Sequence, residues 1–217
     1  MHIVFPIFDQ VTQLDFTGPV QVLSRVPDAH VHVVSGTLAP VATDSGFSIL
    51  PNTTFARCPQ ADVICIPGGP GTAAACQDQE LLQFLGEQVT KAQWITSVCT
   101  GMFVLGKLGL LENRRVTSHW GYTELIAELG AKHEKARFVV DENIVTGGGV
   151  TAGIDFALFL TSLIAGEETA KGIQLALEYD PHPPFDTGHP DRAPRELIEK
   201  LLPRYQAATE QVRAVLK

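Results

Sequence analysis

Trp94-Ile95-Thr96-Ser97-Val98-Cys99-Thr100-Gly101-Met102-Phe103-Val104-Leu105-Gly106 decides the fold. A short β-prone run ends abruptly at a cysteine, and the apolar residues beyond Gly101 have the spacing of a buried helix. The stretch reads as strand, sharp turn, helix. A nucleophile on such a turn stands at the carboxyl end of its strand, where the unpaired N–H groups of the following helix point towards it. Those groups favour thiolate, so Cys99 is predicted to be a nucleophile with a lowered pKa. The competing reading is a small buried apolar residue. An exposed turn favours the functional reading, because cysteine packs no better there than alanine.

Upstream, Ala61 to Ile66 is a core strand that runs into Pro67-Gly68-Gly69-Pro70-Gly71. Backbone at Gly68 and Gly69 can approach a ligand closely and offer N–H groups to a developing negative charge, as an oxyanion hole requires. The lysine and Ser/Thr of a Walker loop are missing, which argues against phosphate binding. Asp78 to Lys91 has the pattern of an amphipathic helix and leads into the Cys99 strand, completing a strand, helix, strand crossover. Cys58, Cys65 and Cys76 have neither metal spacing nor an adjacent base.

Nearer the amino end, His2 to Phe8 reads as a buried strand. In Leu14-Asp15-Phe16-Thr17-Gly18-Pro19, Thr17 is placed to cap a helix that Pro19 pre-organises. Asp15 lies just before that helix between apolar neighbours, where desolvation would raise its pKa and keep a proton available. An ordinary capping aspartate is the alternative. His30 and His32 share one side of a second strand and, without a third ligand, read as solvated residues. Pro40 to Phe55 reads as a hairpin or edge excursion.

Downstream, Thr117-Ser118-His119-Trp120 follows a short strand, and His119 is either a general base for Cys99 or a residue that orients its loop. Phe138 to Thr146 reads as a hairpin. Gly147-Gly148-Gly149 then brings backbone close to a packed helix or a ligand, making Gly148 a further substrate-binding candidate. Apolar helix follows to about Gly166, helix continues from Glu167 to Leu177, and a proline-dense segment leads into a last helix over 195–216. His182 and His189 have no usual metal-ligand spacing, and no metal site is predicted.

The 217 residues are 45% hydrophobic and 18% charged, enough for one sizeable core, so residues 1–217 are read as a single domain. A net charge of −8 without a basic block argues against nucleic acid and anionic membrane surfaces and for a small neutral substrate. With no signal-like start and no apolar run of roughly 20 residues, a cytoplasmic location is expected.

The Cys99 turn, Cys65-Ile66-Pro67-Gly68-Gly69, Thr117 to Trp120, and Gly147 to Asp155 together resemble the ThiJ/PfpI superfamily, over about residues 1–180. Within it, Leu14 to Pro19 and the tail Leu177-Glu178-Tyr179-Asp180-Pro181-His182-Pro183-Pro184-Phe185-Asp186 resemble the isonitrile-hydrating branch. Many deglycase-like relatives carry a glutamate on the first helix, where this chain offers Asp15.

The resemblance implies an α/β flavodoxin-like sandwich: a mostly parallel central sheet, helices on both faces and a cysteine nucleophile elbow. It implies an enzyme that hydrates isonitriles to formamides, with Cys99, Thr100 and Asp15 functional, and a homodimer working without metal or organic cofactor. An extension over about 180–217 is expected at the dimer interface. A glyoxalase, deglycase or peptidase using the same cysteine, and a non-catalytic sensing module, are the other classes left open.

Overall fold

The computed structural model describes residues 1–216. In chain order the strands are β1 His2–Pro6, β2 His30–Ser35, β3 Val41–Ala42, β4 Ser48–Ile49, β5 Thr53–Thr54, β6 Val63–Ile66, β7 Trp94–Val98, β8 Arg115–Val116, β9 Lys132–His133, β10 Phe138–Asp141 and β11 Ile144–Gly147. The α-helices are α1 Gln13–Leu23, α2 Thr72–Ala75, α3 Gln79–Val89, α4 Met102–Lys107, α5 Ala152–Ala165, α6 Glu167–Ala176 and α7 Arg195–Leu216.

Seven strands form one sheet in the order β10-β11-β7-β6-β1-β2-β5. Every neighbouring pair is parallel except β10 with β11. The central strand β6 is a continuous apolar run, and β1 is nearly one, because both of their faces are covered, while β7 buries Thr96 and Ser97 among its apolar residues. On one face Val4, Ile64 and Ile66 pack with Leu81 and Leu85 of α3 and Phe103 of α4. On the other, Ile3, Phe5, Val63 and Cys65 meet Val22 and Leu23 of α1 and Phe156 and Leu160 of α5. This is the mostly parallel, doubly covered sheet expected from the sequence, and the 40–55 segment supplies both the β3–β4 hairpin and the edge strand β5.

One boundary differs. Helix α1 begins at Gln13, so Asp15 lies in its first turn, not before it. Thr17 is no cap: its hydroxyl donates back to the Gln13 carbonyl at 2.9 Å. The helix start is held from outside by Asp44 of the β3–β4 turn, which accepts from the Thr12 hydroxyl (2.8 Å) and the Gln13 amide (3.3 Å). A cap supplied about thirty residues away leaves no local signature.

Parallel pairing also sets His2 beside His30, and His2 Nδ1 lies 2.9 Å from His32 Nε2. His30 is exposed, as read from the sequence, whereas His32 is half-buried and bonded to this unforeseen neighbour.

Beyond α6 the chain is irregular and largely exposed until α7 returns to the body. Thr209 and Val212 of α7 are buried, Arg213 pairs with Glu124 (2.9 Å) and Glu128 (2.8 Å), and Lys107 Nζ donates to the Val215 carbonyl. Among the described residues, no helix is long and apolar enough to cross a membrane.

Candidate active site

Adjacent parallel strands end on the same side of a sheet, and here β1, β6 and β7 are neighbours. Their carboxyl ends deliver Asp15 at the start of α1, the Pro67–Gly71 turn, and Cys99. The sequence-predicted trio Asp15, Cys99 and Thr100 is thereby brought together.

Cys99 sits in a tight 3-10 turn, Cys99–Gly101, before α4, with φ at +57°. A left-handed conformation is costly for a residue with a Cβ and persists only where its surroundings enforce it. Two hydrogen bonds do so. The Cys99 amide donates to the Gly148 carbonyl at 2.9 Å, and the Ser118 hydroxyl donates to the Cys99 carbonyl at 2.8 Å. Gly101 is required by close approach, since a Cβ there would lie 2.2 Å from the Ile66 carbonyl oxygen.

Asp15 is fully buried. Its Oδ2 accepts from the Gly68 amide at 2.9 Å, and its carboxyl is near enough to the Cys99 thiol for each to perturb the other's ionisation. Among the described residues, none hydrogen-bonds to its Oδ1. Burial raises the Asp15 pKa to about 7, against the opposing pull of the Gly68 N–H, and the nearby Asp44 charge adds to the rise.

The thiol departs from the sequence expectation. Burial, then the charge of Asp15, push Cys99 well above an ordinary cysteine, and the Thr100 amide and hydroxyl only partly offset this. The elbow is not the exposed turn that strand-to-helix geometry suggested: Cys99 is only 7% exposed. The resting pair is therefore a neutral thiol beside a carboxyl that titrates near neutrality.

The glycine amides have other partners than expected. Gly68 N–H is held by Asp15, and Gly69 N–H donates to Thr100 Oγ1 at 3.0 Å. Gly148 uses its N–H on the Arg137 carbonyl (3.0 Å) and its carbonyl on Cys99. These glycines shape the site through backbone proximity: a Cβ on Gly68 would come within 2.4 Å of Thr100 Oγ1, and Gly69 has φ +140°.

His119 turns out to cap the 3-10 run Trp120–Leu129, its Nδ1 accepting from the Gly121 amide at 3.2 Å. Its ring packs among Trp120, Tyr122 and Tyr205, and burial lowers its pKa to about 4, so it is neutral. Among the described residues no hydrogen bond joins His119 to Cys99. Tyr122, which the sequence did not single out, lies close enough for Cys99 to raise its pKa, alongside the larger effect of burial. A cleft of about 900 Å³ adjoins this side of the elbow, lined by Ser118, His119, Gly148, Arg137 and, from the tail, His189 and Asp191.

A cysteine at a left-handed elbow, supported by the β1–β6–β7 strand ends, coincides with a match of residues 1–163 to the DJ-1/PfpI family. This chain belongs to the DJ-1/PfpI family. It is similar to a curated member, isonitrile hydratase of Pseudomonas putida, with 49% identity over 200 residues that cover 92% of this chain and 88% of that protein. A solved ThiJ/PfpI family protein from Pseudomonas syringae superposes with a TM-score of 0.96 at 36% identity, covering 99% of this chain and 90% of that one. Schizosaccharomyces pombe DJ-1, at 20% identity and a TM-score of 0.72 over 82% of this chain and 98% of its own, shares the DJ-1/PfpI fold.

Proposed function

We propose that this DJ-1/PfpI member hydrates isonitriles, R–N≡C, to N-substituted formamides, R–NH–CHO, through a covalent cysteine adduct. The observation that carries the reading is the buried Asp15–Cys99 pair, supported by the 49% identity to an isonitrile hydratase. The isonitrile carbon must gain both a proton and an oxygen. An acid–base group and a nucleophile close enough to perturb each other's ionisation meet that need.

Ionised Asp15 takes the thiol proton and passes it to the isonitrile carbon as the sulfur bonds to the same carbon, giving the thioimidate R–N=CH–S–Cys99. A pKa of about 7 suits both halves of this relay, because the carboxylate is basic enough to accept the proton and the acid strong enough to release it. Asp15 then draws a proton from water as the oxygen adds to the carbon, and returns it to nitrogen. Collapse of the adduct expels sulfur, which recovers its proton, and releases the formamide. The Thr100 N–H and hydroxyl, both within reach of Cys99, stabilise the sulfur while it is charged.

The test uses purified protein with cyclohexyl isonitrile and follows N-cyclohexylformamide by chromatography. Formamide well above the uncatalysed background is expected; its absence removes the reading. His119→Ala is expected to retain turnover within a few-fold while losing about 1 kcal/mol of stability with its cap. Abolished turnover in a folded His119→Ala protein would instead favour a cysteine–histidine enzyme acting on α-oxoaldehydes or peptides.

We also propose a homodimer. Exposed Leu38, Phe47 and Leu50 in one segment and Leu175, Phe185 and Leu197 in another supply apolar surface of the kind oligomers bury. Sedimentation at micromolar concentration is expected to give twice the 23.5 kDa chain mass; a monomer would refute it.

A further inference from the structure

Thr72, the first residue of α2, is buried and lies outside every motif discussed above. Its hydroxyl oxygen is 2.7 Å from Thr100 Oγ1 and 2.8 Å from the Gly69 carbonyl oxygen. Thr100 Oγ1 in turn accepts from the Gly69 amide. Hydrogen counting around this ring allows two arrangements, since each hydroxyl has one proton to give.

In the first, Thr72 donates to the Gly69 carbonyl and Thr100 donates to Thr72. Thr100 then presents only a lone pair to the Cys99 thiol, which suits a neutral S–H. In the second, Thr72 donates to Thr100, and the Thr100 proton swings to the sulfur, which suits a thiolate. The Gly69 carbonyl is not orphaned in that state, because it also accepts from the Thr72 amide at 3.0 Å. Both arrangements satisfy the two hydroxyls and the Gly69 carbonyl; the first matches the structure, in which Thr100 Oγ1 is held by Thr72 and Gly69, and the second needs the two hydroxyls to rotate and Thr100 to close on the adjacent sulfur.

We infer that Thr72 is a positioning residue, whose hydroxyl receives the Thr100 proton while Cys99 is a thiol and releases it to the sulfur when the thiolate forms. Without the Thr72 hydroxyl, the Thr100 oxygen loses a donor as the sulfur becomes charged. The inference rests on the proposed chemistry for its catalytic consequence, but the effect on Cys99 ionisation does not need the isonitrile.

Two measurements separate the two. The rate of Cys99 alkylation by iodoacetamide against pH, in the intact chain with the other cysteines substituted by serine or alanine, reports thiolate formation whatever the substrate. Thr72→Val, close in volume, is expected to raise the midpoint by about one pH unit, a tenfold change in thiolate population at a given pH, while Thr72→Ser leaves it in place. In the hydratase assay Thr72→Val is expected to lower kcat about tenfold with little change in KM, again with rescue by Thr72→Ser. In a Thr100→Val background the Thr72→Val change should have no further effect on the midpoint. An unshifted midpoint in Thr72→Val overturns the inference, as does an equal shift in the Thr100→Val background. If Thr72→Val does not fold, Thr72→Ala, which adds no volume, takes its place under the same criteria. A shifted midpoint without formamide production supports the hydroxyl pair and overturns the hydratase reading alone.

Discussion

Cys99→Ala is expected to reduce formamide production by at least ~1000-fold, because the proposed mechanism loses the atom that would form the covalent adduct. The protein should remain folded. Alanine keeps the Cβ and the left-handed backbone, and the amide bond to Gly148 and the carbonyl bond from Ser118 do not involve the side chain. A fully active Cys99→Ala protein would transfer the chemistry to Asp15 and water alone. Cys99→Gly provides a second reading of the same position: glycine accepts φ +57° without strain, so this variant should be inactive yet no less stable than Cys99→Ala.

Asp15→Asn is expected to abolish turnover and at the same time to stabilise the protein at neutral and alkaline pH. The sign follows from the direction of the shift. An unfolded aspartate titrates near 3.9, whereas folded Asp15 titrates at about 7, so the native state binds more protons between those values. Stability therefore falls as pH rises through that window. The penalty is absent below about pH 4, grows to about pH 7 and stays constant above it. At ~1.4 kcal/mol per pH unit, it is on the order of 4 kcal/mol. Asparagine keeps an acceptor for the Gly68 amide and carries no charge to bury. Urea unfolding at pH 4 and pH 8 should show little difference between the two proteins at the lower pH and a more stable variant at the higher. A variant no more stable at pH 8 would mean that Asp15 is not a buried, destabilising charge. In the unaltered enzyme, kcat/KM should rise with pH through about 7, as Asp15 acquires the ionised form that the proposed relay requires.

The order of the sheet strands and long helices was legible because it is written in periodicity, whereas the short α2, the 3-10 run Trp120–Leu129 and β9 carry no such pattern. Asp78 announces α3 and accepts from the Glu80 and Leu81 amides, as a cap should. The hairpin turn at Glu142-Asn143 and the limits of α7 likewise follow from local residue types. The Asp15–Cys99 pairing was legible through motif resemblance. Illegible features depend on contacts between distant segments. Which group takes the Gly68 amide depends on a carboxylate 53 residues away, and the Thr72–Thr100 contact spans 28 residues. The direction of the Cys99 shift was misread for the same reason. Helix-start dipoles are local, while burial and the Asp15 charge come from the fold as a whole.

The place of β1, β6 and β7 within the sheet has one more consequence. Strands at a sheet's margin, here β10 and β5, open at lower free energy than those with neighbours on both sides. Asp15 and Cys99, the proposed acid–base group and nucleophile, are thus mounted beside strands that have neighbours on both sides. Opening confined to β5 leaves β1, β6 and β7 paired with one another, whereas opening that spreads from β10 through β11 frees the Gly148 carbonyl and with it the left-handed Cys99 turn, so the two margins are not equivalent.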